Sequence, residues 1–260
     1  MAGSERGFTI IEVVLFLAIT GGLFAALMIG VSVGVTQQRY LDSVRSYKAL
    51  LQDQYIAAIN TRNEANQNVK CGDAGDGSIV ESQQSGGAGG RDPARGASEC
   101  VILGRAIQIQ QDSGSTRITT SSVTGYEPVG TSDDTSDSNV ISSYQPKLAL
   151  YDREESTIAW GGSLTQADRQ DQQDLSTALI VVLRSPKSGS IVVYTTNNGL
   201  SGEDLTPLFA DNGLRDAAVV KSCVDGDSGL LPKQMIVIDP NISGPDAVSS
   251  DGGRNEVCQR

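Results

Sequence analysis

From Phe8 to Val35 the chain carries one charged side chain, Glu12, in a run otherwise built of Val, Ile, Leu, Ala, Phe, Met, Gly, Thr and Ser. A helix needs about 20 apolar residues to cross a bilayer core of roughly 30 Å, so this run is long enough to span one. A carboxylate inside it is the anomaly. At the bilayer centre it would cost about 2.5–3.5 kcal/mol, and it is tolerated chiefly where it finds a partner. Glu12 lies one helical turn from the start of the run, where it can snorkel and the cost falls.

Two ordinary explanations leave something over. A secretory signal has a positive start, about 7–15 apolar residues and a small-residue cleavage site. This run is longer, lacks an obvious A-x-A exit and leads into further helical sequence. A plain single-pass anchor requires neither Gly7 nor Glu12. Local charge does not arbitrate, because Glu5 and Arg6 cancel before the run while Arg39, Arg45 and Lys48 follow it. The positive-inside rule alone therefore does not put the N-terminus in the cytoplasm.

Gly7, then Phe8, then Glu12 five residues after the glycine, then an unbroken apolar helix, resembles the class III leader of type IV pilins and type II secretion pseudopilins. The resemblance covers residues 1–36. It implies cleavage after Gly7 by a prepilin peptidase and N-methylation of the new N-terminal Phe8. It also implies pairing of Glu12 with the Phe8 amine of a neighbouring subunit during assembly. A buried carboxylate is tolerable when the next subunit brings the cation. The implied location is the cytoplasmic (inner) membrane, single-pass with the head outside, and then a cell-surface filament or pseudopilus.

The rest of the composition narrows the chemistry. The 260 residues carry a net charge of −11, with a pI near 4.5. Broad nucleic-acid binding needs clustered Lys and Arg, so nucleic acid is not an expected partner. There are no histidines, which removes Ser–His–Asp and Cys–His catalysis and the imidazole metal ligands together. No Gly-rich phosphate loop, Walker motif or GxSxG occurs. The expectation is a protein that is not an enzyme and needs no cofactor.

Four cysteines, Cys71, Cys100, Cys223 and Cys258, lie beyond the apolar run. An even number there reads as disulfides in an oxidising compartment, with three possible pairings. Cys71–Cys100 with Cys223–Cys258 is favoured, because each bridge would tie the ends of a polar, loop-rich segment. A four-thiolate zinc site is the alternative, but the close C-x2–4-C spacing is absent.

The helix is expected to continue past the membrane. Tyr40, Val44, Tyr47, Leu51, Tyr55 and Ala58 recur at three- and four-residue steps, with Leu41 and Ile59 widening the stripe. No proline occurs from Phe8 to Val69, which permits one helix of about 90 Å, its outer half lying on the C-terminal domain. Gly21-Gly22, Gly30 and Gly34 are its weak points, at about 1 kcal/mol each. In the resembling family the helix melts near this depth on filament packing, which would place melting at Gly21-Gly22. Close packing of helices over small residues explains the glycines equally well.

The chain then divides into a leader (1–7), a transmembrane and assembly helix (8–36), an amphipathic outer half (37–70) and a β-rich extracytoplasmic head (71–260). Loops are expected at about 72–99 and 130–139. Within the head, Val101–Gln110 and Arg117–Thr124 read as partner strands. Ala178–Leu183 and Ile191–Thr195 read as a hairpin around Arg184–Ser190, and Asn197-Asn198-Gly199 as a further turn. Ala217–Val224 and Met235–Ile238 read as two more strands, Leu148–Trp160 is ambiguous, and Leu164–Asp174 reads as a polar linker or short helix. The fold class is α+β, a long helix packed on a β-rich head. That order is similar to the GspH/FimT-like branch of minor pilins.

Two weaker features remain. Asp225-Gly226-Asp227-Ser228-Gly229 spaces oxygens as a calcium loop does, which makes Asp225 and Asp227 calcium candidates. Calcium wants about six to eight oxygens, however, and Asp and Gly serve any tight turn. Arg254 and Arg260 faintly resemble the basic tail through which FimT-like pilins take up DNA, but a second motif arginine is missing and the domain is acidic. The expected function is a structural subunit, a minor pilin or pseudopilin, of a type IV pilus-like or type II secretion-like filament. The alternative is a membrane-anchored ectodomain that binds a surface or DNA and never polymerises.

Overall fold

The computed structural model describes residues 9–60, 69–71, 79–81, 100–112, 115–126, 136–149, 152–166, 177–196, 204–206, 209, 215–216, 219–226, 231–242, 244–251 and 258. It opens with α1, Ile10–Ile59, a single helix of 50 residues, about 75 Å long at 1.5 Å per residue. The helix is shorter than the stretch without proline allows. Asn60 closes it, its N–H donating to the Ile56 carbonyl at 2.9 Å, and Val69–Cys71 is a strand, β1, rather than the end of the amphipathic half. The apolar stripe ends at Ile59, and the sequence from 61 to 68 offers no apolar stripe to continue it.

The strands follow in two larger sheets and one small one, all antiparallel. Here β1 pairs with β2, Ile79–Glu81, inside the stretch expected to be loop. Next, β3 (Cys100–Asp112) and β4 (Ser115–Tyr126) form the long hairpin the sequence suggests. Then come β5 (Lys147–Leu148), β6 (Glu154–Thr157), β7 (Ser163–Gln166), β8 (Thr177–Arg184), β9 (Ile191–Thr196) and β10 (Arg215–Asp216). The last three are β11 (Val220–Asp225), β12 (Gln234–Ile238) and β13 (Val248–Asp251). The large sheet runs β10-β9-β8-β3-β4-β5, with β6 also on β4, and the second runs β13-β12-β11-β7.

The hairpin of β8 and β9 forms as the β-branched runs suggest. Its strands alternate between two cores. Ala178, Ile180 and Val182 face α1, whereas Leu179, Val181 and Leu183 face the far side of the sheet. Period-two alternation of this kind puts apolar side chains on both faces only when both are covered. On β3 the parity shifts once: Ile107 and Ile109 face the helix, but Leu103 packs on the far side. Leu103 is the extra residue of a bulge, since Ile102 pairs with Thr124 and Gly104 with Val123. Gly104 follows it because a Cβ there would fall on the Val182 carbonyl of β8.

Two expectations about loops change. Asp137–Ser143 is a short helix, α2, capped by Ser136, whose hydroxyl accepts from the Asn139 N–H at 3.3 Å. It therefore overlaps the loop expected at 130–139. It forms because Ile141, just past the acidic stretch, is buried in the far-side core with Val140 against it. Leu164 does not belong to a linker or helix: it is a fully buried residue of β7, paired with Val224 of β11. Asn197, Asn198 and Gly199 lie outside the described residues.

Candidate functional site on the N-terminal helix

The site expected from the sequence is the start of α1. Gly7 and Phe8 lie outside the described residues. Thr9 is the N-cap, in extended conformation, and Glu12 is the third helical residue. The Glu12 N–H donates to the Thr9 hydroxyl at 3.3 Å. In return Glu12 Oε2 accepts from the Thr9 backbone N–H at 3.0 Å and from the Thr9 hydroxyl at 3.1 Å. This reciprocal capping box satisfies two of the N–H groups that every helix start leaves open. Reading Glu12 only as a membrane anomaly overlooked it, although Thr9-x-x-Glu12 is the signature of such a cap. Glu12 thus has a use within its own chain.

From Ile10 to Arg39 none of the helix is buried in the head. Phe16 is 66% exposed and Phe24 70%, and their neighbours Ile19, Leu23, Leu27 and Met28 are equally open. The helix is long and apolar enough to cross a membrane. It runs unbroken through Gly21-Gly22, and a Cβ at either glycine would meet nothing within 4 Å. Just before the pair, the Thr20 hydroxyl donates back to the carbonyls of Phe16 at 2.8 Å and Leu17 at 3.2 Å. Such back-bonding competes with the helix ladder and favours bending, and Thr36 repeats it on the Ser32 carbonyl at 3.0 Å beside Gly34.

From Tyr40 onward the same helix is gripped. Tyr40, Val44, Tyr47, Leu51, Tyr55 and Ala58 are buried against both large sheets, and Ile59 packs at the edge of the cluster. The periodicity found this apolar face, but not its polar ends. The Tyr40 hydroxyl donates to the carbonyls of Val224 at 3.1 Å and Pro232 at 2.8 Å. The Tyr55 hydroxyl donates to the Ile242 carbonyl at 3.1 Å, and the Tyr47 hydroxyl lies 3.4 Å from Ser222 Oγ. Burial pushes the Tyr47 hydroxyl up to about 12, an effect only partly offset by Ser222. Burial raises Tyr40 and Tyr55 as well. A buried phenol needs a partner for its O–H, and these partners fix the level of the helix on the sheets.

A charged cluster adds a second fixture. Arg105 of β3 donates through Nε to Gln54 Oε1 at 2.8 Å, and through Nη1 to Ser122 Oγ at 2.8 Å and Asp152 Oδ2 at 2.5 Å. The Asp152 carboxylate also accepts from the Ser122 N–H and hydroxyl. Arg105 and Asp152 are largely shielded from solvent, and removal of either partner would leave an uncompensated charge.

The structure joins Cys223 to Cys258, with their Cα atoms 5.7 Å apart. The side chains of Cys71 and Cys100 lie outside the described residues. Asp225 ends β11, and its carboxylate is 3.3 Å from Lys233 Nζ. Asp227, Arg254 and Arg260 lie outside the described residues, and no group of three or more acidic or cysteine ligands gathers among those described.

No family model, curated protein or solved structure matches this chain. A long N-terminal apolar helix on a β-rich head with a disulfide is compatible with a pilin fold.

Proposed function

We propose that the chain is a structural subunit, a minor pilin or pseudopilin, of a type IV pilus-like or secretion-like filament. In this reading it is held in the membrane by the lower half of α1, cleaved after Gly7 by a prepilin peptidase, and assembled through that same half. The observation that carries the reading is the division of one helix. Residues 10–35 are apolar on all faces but for Glu12 and are not buried in the head, whereas the face from Tyr40 to Ala58 is. A helix apolar all round is covered by lipid or by other helices. A subunit that moves from membrane to filament uses both coverings in turn. Glu12 then acts at the transfer. Its Oε2 serves the cap, while its charge attracts the Phe8 amine of the next subunit in a medium where an unpaired ammonium is costly.

A second reading draws on the capping box. Because Glu12 is already engaged by Thr9, the carboxylate also suits a non-polymerising anchor that carries a binding ectodomain. Mass spectrometry of the mature N-terminus separates the two. The filament reading expects a chain that starts at N-methylated Phe8. A chain that starts at Met1 or Ala2 supports the anchor. Gly7 replaced by a bulky residue should leave uncleaved precursor, because the peptidase must approach backbone that carries no Cβ.

A further inference from the structure

We infer that Trp160, with Arg39, seats the head on the membrane surface, the indole entering the boundary between headgroups and acyl chains and the guanidinium facing lipid phosphate. The inference rests on the reading of α1 as membrane-spanning and adds a second point of contact to it.

Trp160 sits where the head meets the apolar helix. The turn Ala159–Gly161 lies against α1, and its flanks clamp the helix: Ile158 is in the core, and Gly162 is pressed so close to Ser43 that a Cβ would collide with its hydroxyl. The Thr116 hydroxyl holds the Gly162 carbonyl at 3.1 Å. Although the turn is anchored on both sides, the ring between is not buried. Trp160 is 58% exposed, and the Arg39 guanidinium lies 4.8 Å from its ring centroid. Arg39 is four residues past Val35, the end of the apolar run, which is about 6 Å along the helix axis. The indole therefore lies at the level where a bilayer-spanning α1 would leave the hydrocarbon. Trp is enriched at that depth because its ring is apolar and its N–H is polar.

The backbone gives an independent reason. Trp160 has φ 61° and ψ 29°, the left-handed region, where a bulky residue is an outlier. Glycine would occupy it without strain. A large aromatic side chain is held in a conformation it disfavours and aimed away from the core, which is the combination that marks a residue kept for contact. The head as a whole is acidic, so general charge attraction to an anionic surface cannot seat it. A local aromatic and cationic pair can.

Trp160 is the only tryptophan in the chain, so its fluorescence reports this ring alone. The full chain would be reconstituted at about one copy per vesicle, in phosphatidylcholine containing a minority of phosphatidylglycerol. We expect co-flotation with the vesicles and strong quenching by lipids brominated high on the acyl chain, several-fold above that by lipids brominated near its end. Iodide quenching should fall several-fold below that of free N-acetyltryptophanamide. Co-flotation with full iodide quenching and no bromolipid quenching would overturn the seating while leaving the anchor intact. Shielding that appears only at high copy number would assign the ring to a second subunit and also overturn it. Failure to float would overturn both readings.

Discussion

Residues 10–39 and residues 40–59 belong to one unbroken helix, yet they obey different rules of burial. From Ile10 to Val35 the lower half is apolar on every face but for Glu12 and none of it is buried, and its upper end touches the head where Arg39 lies over Trp160. The upper half is apolar on one face only, with Arg45 and Asp42 exposed on the back, and that face is covered by two sheets. Helix formation is the same in both. What differs is the covering each half requires, and only the upper half receives it within the subunit. The lower half leaves its apolar surface open, and in the proposed reading lipid and then neighbouring helices cover it.

The comparison predicts that equal truncations have unequal consequences. Leu51 is 1% exposed, and Leu51→Ala should destabilise the head by about 3–5 kcal/mol through the cavity it leaves. Leu27→Ala, in the uncovered half, should change head stability by no more than about 0.5 kcal/mol. Denaturant unfolding of the full chain in detergent, followed by near-ultraviolet dichroism, measures both. Equal losses would break the division.

The disulfide sharpens the upper side. Cys223 lies on β11, whose Ser222 and Val224 meet Tyr47 and Tyr40, and it closes a separation of 35 residues to Cys258. Loss of such a link costs about 2–4 kcal/mol. Cys223→Ala should lower the unfolding midpoint of the head and leave the helicity of the lower half unchanged. A loss of helicity in the lower half would show that the two halves are coupled.

The last effect is alkaline. The Tyr47 hydroxyl titrates at about 12 in the folded chain against 10.0 ordinarily. The folded state therefore keeps a proton that the unfolded state has lost. This contribution is complete below about pH 10 and disappears as the pH rises to about 12, at roughly 1.4 kcal/mol per pH unit. Tyr40 and Tyr55 act in the same direction. Tyr47→Phe should flatten the fall in stability across this window, whereas an unchanged slope would place the tyrosine in contact with water.

Much of this was legible in the sequence, because periodicity reports burial. The stripe from Tyr40 to Ala58 states that one face is covered, and the runs Ala178–Leu183 and Ile191–Thr195 state that both are. Polar partnerships left weaker traces. The Thr9–Glu12 cap had a readable motif, but the Arg105–Asp152–Gln54 cluster joins residues far apart in the chain and has none. Short elements were missed where their burial comes from outside the window. Helix α2 depends on Ile141, just beyond an acidic loop, and β7 on Leu164 in a stretch otherwise polar. The left-handed Trp160 was not legible, because Gly161-Gly162 beside it signals a turn but would place the left-handed residue at a glycine.

Glu12 is where the lower half meets the proposed mechanism, and one substitution separates its two uses. Gln at the third helical position still completes a capping box, so Glu12→Gln keeps the helix start but removes the charge. Glu12→Val removes both. The measurement compares the sheared-filament and membrane fractions of wild type, Glu12→Gln and Glu12→Val. We predict that both variants are processed and held in the membrane, and that both are absent from filaments, because the next subunit's amine lacks its anion. If Glu12→Gln enters filaments as well as wild type, the carboxylate serves the cap alone and the proposed pairing between subunits is wrong.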